Sequence, residues 1–139
     1  MRLSFTGTHR GMTQAQVLSL ADFIARASVL VHGACVGADD EADILAVFFR
    51  VPRRAFPSTS ASMRITNDVL ESRIGSRVFI YPAAPPLVRN RDIVRQSDHL
   101  VACPAQPIEV LRSGTWATVR EARRIGIPVT VITPAGDLT

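Results

Sequence analysis

At 139 residues, with 47% apolar and 20% charged side chains, the chain has the content of one domain with a buried core, not of a disordered segment. No apolar run approaches the ~18 residues of a membrane span. The opening MRLSFTGTHRG turns polar too early for a signal peptide, so a cytoplasmic protein with no membrane association is expected. The net charge is +4, and all 16 Lys+Arg residues are arginine, a side chain that forks onto phosphate; this permits nucleic acid as a partner without demanding it.

Strand and helix signals alternate along the chain. LSFTG (Leu3–Gly7) reads as a first strand. TQAQVLSLADFIARA follows as a helix: Thr13 and Gln16 have capping-box spacing, and Val17, Leu20, Ile24 and Ala27 form one apolar stripe. SVLVHG (Ser28–Gly33) is a second strand, apolar throughout. DDEADILAVFF is a second helix, with Asp39, Asp40 and Glu41 where the helix dipole favours acids. RRAFP (Arg53–Pro57) reads as a short third strand. The stretch from Ser58 to Pro86 carries weak signals, for a short helix near Asn67–Arg73 and a short strand RVFIYP, with PAAPP as a turn or extended segment. RNRDIVRQSD then reads as a helix and HLVACP as a strand. A helix over Thr115–Ile125 follows, with Gly126 at its C-cap and Pro128 beyond. PVTVI is the last strand, and Thr133–Thr139 is expected to be a loose tail.

Strands apolar on both faces, alternating with helices, predict an α/β fold: a single Rossmann-like three-layer domain over residues 1–139 with a mostly parallel sheet. Ligands of such sheets bind at the carboxyl ends of the strands, beside the point where strand order reverses. The loops after the strands therefore hold the candidate site. TGTHRG offers Gly7, Thr8, His9 and Arg10, with a tight turn as the simpler role. HGACVGAD offers Gly33 and Gly37 for close backbone approach, and Asp39 as a helix cap or an acceptor from a sugar hydroxyl. His32 reads as a hydrogen-bonded strand-end residue and Cys35 as a packed one. Arg89, Asn90 and Arg91 stand near an expected helix start, where cations are unfavourable unless an anion joins them or salt bridges hold them. Ser113, Gly114 and Thr115 put two hydroxyls and free backbone amides at a helix N-terminus, an arrangement used for phosphates. Trp116 suits either a base or the core. The two cysteines form no CxxC pair and the three histidines lack ligand spacing, so no metal site is expected.

Taken together, FTGTHRG, HGACVGAD, RNRDIV and RSGTWATVREARRIGIPV resemble the SLOG superfamily of Rossmann-like nucleotide-binding proteins, which includes cytokinin-activating phosphoribohydrolases and the DNA-processing protein DprA. The resemblance runs from Leu3 to Ile132, is weakest over Ser58–Pro86, and is nearest to small bacterial and phage members of unknown function. It implies strand order 3-2-1-4-5, a crevice flanked by the loops after Gly7 and Cys103, and free thiols at Cys35 and Cys103. The phosphoribohydrolases carry PGGxGTxxE, with the glutamate near the sugar. Here the matching position is Thr118, and Glu121 lies about 9 Å further along a helix axis. Asp39 is the remaining candidate acid.

The expectation is a sensor or carrier that binds a nucleotide or nucleotide-derived phosphorylated metabolite and requires no cofactor. Its phosphate would sit on Ser113–Thr115 and its sugar would face Asp39. An alternative is a phosphoribohydrolase that cleaves the N-glycosidic bond of a nucleoside 5′-monophosphate, with Asp39 as the catalytic carboxylate. A second alternative is DprA-like nucleic-acid binding on a basic surface of Arg50, Arg53, Arg54 and the Arg120–Arg124 group. A homo-oligomer paired through helices is also expected.

Overall fold

The computed structural model describes residues 1–60 and 62–139. Six strands form one parallel sheet: β1 (Arg2–Gly7), β2 (Val29–His32), β3 (Arg53–Ala55), β4 (Val78–Ile80), β5 (His99–Cys103) and β6 (Val129–Val131), in the order β4-β3-β2-β1-β5-β6. Five helices connect them: α1 (Gln14–Ala25), α2 (Ala38–Phe48), α3 (Asn67–Ser72), α4 (Pro86–Arg95) and α5 (Gly114–Ile125). The expected order 3-2-1-4-5 is corrected by one element. The weak RVFIYP signal is a true strand, β4, added outside β3, so the sheet has six strands.

The strands alternate between two apolar layers, as their pleat requires. On one side, Leu3 and Phe5 of β1, Leu30 of β2, and Val101 and Cys103 of β5 pack with Leu20 and Ile24 of α1 and Ala38, Ala42 and Ala46 of α2. On the other side, Leu100 and Ala102 meet Val94 of α4 and Trp116, Val119 and Ala122 of α5, while Val29 and Val31 meet Ile93. The three alanines of α2 bring that helix close to the sheet. Trp116 is therefore core, only 5% exposed.

Local signals set the element ends. Thr13 and Gln16 form the expected capping box, through bonds of 3.2 and 3.0 Å. Gln16 is itself buried, and its amide donates to the carbonyls of Pro104 and Ile132 at 2.9 Å each, tying α1 to the ends of β5 and β6. Gly126 closes α5 in the left-handed conformation, φ 86°. The helix α4 starts earlier than its arginines suggested. Pro85 is its N-cap and Pro86 its first residue, since a first turn needs no N–H from proline. Arg89, Asn90 and Arg91 thus lie in the second turn, not at the helix start.

The tail, expected to be loose, folds back. Ile132 bridges Leu138, and Val131 and Thr139 exchange two backbone bonds of 3.2 and 2.9 Å. Beneath the sheet, Asp43 of α2 accepts from His32 (2.8 Å), Arg53 (2.9 Å) and Arg73 (2.7 Å), all within the protein interior or at its edge. Burial pushes the Asp43 carboxyl up, but the His32 bond and the two guanidiniums outweigh it and hold it at about 2. His32 Nδ1 accepts from the Ala34 amide, so the ring is satisfied on both nitrogens, as a strand-end histidine should be.

Candidate functional site

The chain runs outward from β1 through β2 and β3 to β4, then returns to β5 on the other side of β1. Strand order reverses between β1 and β5, and their carboxyl ends open a crevice there. The loops after Gly7 and Cys103 flank it. They are joined by the Thr8 amide, which donates to the Cys103 carbonyl at 3.0 Å, and α2 is fixed to the same loop by Ala38 N–H to Thr8 O at 2.9 Å. The cavity holds about 310 Å³, at the lower end of small-molecule sites.

Most of the sequence-predicted residues meet in this cavity. Its lining includes Gly7, Thr8, His9, Arg10, Gly33, Asp39, Arg89, Asn90, Ser113, Gly114 and Thr115. Two expected residues do not join them. Gly37 lies outside the lining; at φ 87° its missing side chain makes room for the His9 backbone, so its role is to let two loops cross. Arg91 points away, its Nε 4.0 Å from Glu121. Helical phase explains the difference: Arg89 and Ile93, four residues apart, share the crevice face and Arg91 does not. Gly7 lines the cavity but is needed for packing, since a Cβ there would overlap that of Ala38 and lie 2.9 Å from the Phe5 ring.

The helix α5 supplies the anion-facing end. Ser113 is the N-cap; its hydroxyl accepts from Trp116 N–H at 3.3 Å, and its own amide is used by Val110 O at 3.2 Å. The amides of Gly114 and Thr115 precede the first helical bond, Ala117 N–H to Ser113 O. They are the free donors of the helix start. A Cβ placed on Gly114 would meet nothing within 4 Å, and Gly114 and Thr115 both line the cavity. Arg10 and Arg112 line the same cavity, and among the described residues neither forms a salt bridge. Arg112, with Ala105, Gln106 and Met63, joins the cavity without having been singled out in the sequence, and Thr118, the position that matches the phosphoribohydrolase glutamate, lines it too. The place of Arg112 just before the Ser113 cap was the signal available.

The opposite wall is built by the loop after β2. Ala34 there has φ 55°, unusual for a residue with a side chain, and the turn aims the Cys35 amide at Asp39 Oδ2, 3.2 Å away. Arg89 reaches across from α4 and donates to the Gly33 carbonyl at 2.6 Å; a side chain at Gly33 would collide with that guanidinium. Asp39 is 5% exposed and is the one carboxylate in the lining among the described residues. Burial raises its pKa, opposed in part by nearby His32, the Cys35 amide, Arg89 and the Gly33 amide. The Cys35 thiol is also raised, first by burial and then by Asp39, so it stays protonated. Cys103 is pushed up to about 12 by burial, and both thiols are free.

The remaining acidic and basic residues sit elsewhere. Glu121 is taken by Arg124, through bonds of 3.0 and 2.7 Å, and is outside the cavity; Thr118 turns its hydroxyl to the Gly114 carbonyl at 3.1 Å. Of the arginines expected on a basic surface, Arg53 is 1% exposed and bound to Asp43, and Arg120 and Arg123 pair with Glu109. No group of three or more metal-ligating side chains occurs among the described residues, and no helix there is long and apolar enough to cross a membrane.

No family model and no curated protein matches the chain. Its fold resembles that of the molybdenum cofactor binding protein of the phototrophic bacterium Rippkaea orientalis, with a TM-score of 0.68 and 19% identity, over 95% of this chain and 76% of that one. It also resembles DprA, the DNA processing protein A of Streptococcus pneumoniae, with a TM-score of 0.72 and 20% identity, over 94% of this chain and 49% of that one. The chain thus spans about half the length of DprA. At these identities the likeness is one of fold: the chain shares a Rossmann-like α/β architecture with these proteins.

Proposed function

We propose that this protein binds a nucleotide or nucleotide-derived phosphorylated metabolite in the crevice between β1 and β5, as a sensor or carrier of that ligand. The observation that carries the reading is the α5 N-terminus. Two free amides belong to residues that line the cavity, Gly114 and Thr115, beside two arginines that no acid neutralises among the described residues. Backbone donors at a positive helix end, flanked by guanidiniums, suit a phosphate. The sugar then faces Asp39 and the Gly7–His9 turn. A neighbour in fold that is named for binding a cofactor supports a ligand-holding role. Thermal melts with 1 mM AMP, GMP, CMP, UMP and ADP-ribose test it: at least one raises the melting temperature, and a flat response to all of them refutes it.

A second reading is cleavage of the N-glycosidic bond, favoured by one observation. Asp39 is a buried carboxyl with a raised pKa in a cavity whose charged lining residues are otherwise arginines. Such a group can pass a proton to a leaving base or help water attack the sugar. The reading expects base release from a nucleoside monophosphate that Asp39→Asn abolishes; no release across the four common nucleotides discards it. Pairing between copies is supported by the outer faces of α1 and α2, where Leu18, Ile44 and Phe48 are 66%, 50% and 76% exposed. Light scattering that gives the monomer mass at 100 µM removes it.

A further inference from the structure

Two polar atoms in the crevice wall are buried without a partner: Asp39 Oδ1 and Arg89 Nε. The other ends of both groups are held firmly by one loop. Asp39 Oδ2 takes the Cys35 amide at 3.2 Å, and Arg89 Nη1 donates to the Gly33 carbonyl at 2.6 Å. Both groups close in on Gly33: a Cβ built there would stand 3.3 Å from Asp39 Oδ2 and would collide with Arg89 Nη1. They approach each other yet form no ion pair, so one acceptor and one donor stay unspent in two residues that line the same cavity. Leaving such groups buried and unmatched is costly, and more so when they carry charge.

The complement of an acceptor beside a donor is a hydroxyl, which gives a proton to one and a lone pair to the other. A fully ionised phosphate fits less well, because it brings no proton for the Asp39 oxygen. We infer that Asp39 and Arg89 form a hydroxyl-reading subsite that makes the crevice selective for ribose over its deoxy forms. This rests on the nucleotide reading above and adds to it the part of the ligand that is recognised. The selectivity follows from the wall itself. A deoxy ligand returns neither bond, so the two atoms stay unmatched in the complex. An N–H beside a carbonyl on a base edge offers the same complement, and a ligand without a base separates the two sources.

The test is calorimetric titration of the full chain with AMP and GMP, their 2′-deoxy and 3′-deoxy forms, ribose 5-phosphate and inorganic phosphate. At least one deoxy form of the bound nucleotide should bind roughly 100-fold more weakly than its parent. Ribose 5-phosphate should bind more tightly than inorganic phosphate. Asp39→Asn should shrink the ribose preference to below about 10-fold, because the amide offers a donor where an acceptor stood. Arg89→Gln gives the same reading if that variant does not fold. Equal affinity for ribo and both deoxy forms overturns the subsite and leaves the nucleotide reading intact. A nucleotide preference over phosphate that ribose 5-phosphate does not share assigns the pair to the base and also overturns it. No binding of these compounds, nor of CMP, UMP and ADP-ribose, removes the nucleotide reading itself.

Discussion

Gly114→Ala separates ligand binding from folding. The residue opens α5 with a φ outside the left-handed region, and a Cβ there would meet nothing within 4 Å. The methyl group therefore costs the fold nothing. Alanine is the better helix residue and has less freedom to lose on folding, which adds up to about 1 kcal/mol of stability, or a few degrees in Tm. The same methyl narrows the cavity at the residue whose amide, with that of Thr115, is to hold the anion. A phosphate there accepts charge-assisted bonds of ~1.5–3 kcal/mol each, and displacing it from one of them costs roughly 10- to 100-fold in affinity. The assay is paired: thermal melts of the free proteins, and calorimetry with the nucleotide that binds the wild type. The expected result is a Tm at or slightly above wild type together with a weakened Kd. An unchanged Kd in a well-folded variant refutes the placing of the anion on these amides. A Tm lowered by several degrees refutes the claim that nothing of the protein occupies that space.

Other substitutions separate the roles of neighbouring residues. Gly7→Ala drives a methyl into Ala38 where α2 crosses β1, and should cost about 1–3 kcal/mol in denaturant unfolding. Gly33→Ala meets the mobile end of Arg89 instead; the fold should hold within a few degrees while affinity falls about 10-fold as the guanidinium leaves the Gly33 carbonyl. Asp43→Asn leaves His32, Arg53 and Arg73 around a neutral group and should lose about 3–5 kcal/mol. The folded Asp43 carboxyl lies below its ordinary value, so its contribution is complete above the usual carboxylate range and is lost as pH falls from 3.8 towards about 2. Acid unfolding curves should steepen in that window for the wild type and lose that limb in Asp43→Asn.

Much of the site was legible because it depends on short-range chemistry. The Ser113 cap, the glycines after β1 and β2 and the Thr13–Gln16 box all announce themselves within a few residues. What escaped depends on phase and distance. Whether Arg89 or Arg91 enters the crevice is decided by where α4 begins, and the proline pair that starts it also reads as a break. The Arg89 bond to Gly33 joins residues 56 apart, a pairing no local pattern reveals. Arg53 looked like a surface cation, yet lies buried because Asp43, Leu70 O and Ser76 converge on it from three elements. The strand β4 has three residues, too few for alternation to stand out from its surroundings.

The returning tail bears on how copies of this molecule can meet. Thr139 uses the outward N–H and C=O of Val131, which leaves only Val129 of β6 for a stranger, whereas β4 ends the sheet with no strand beyond it among the described residues. A molecule with one blunted rim and one bare rim cannot be stacked rim to rim into a fibre. Two copies joined bare rim to bare rim by a two-fold axis would exhaust the pairing surface, and growth would end there.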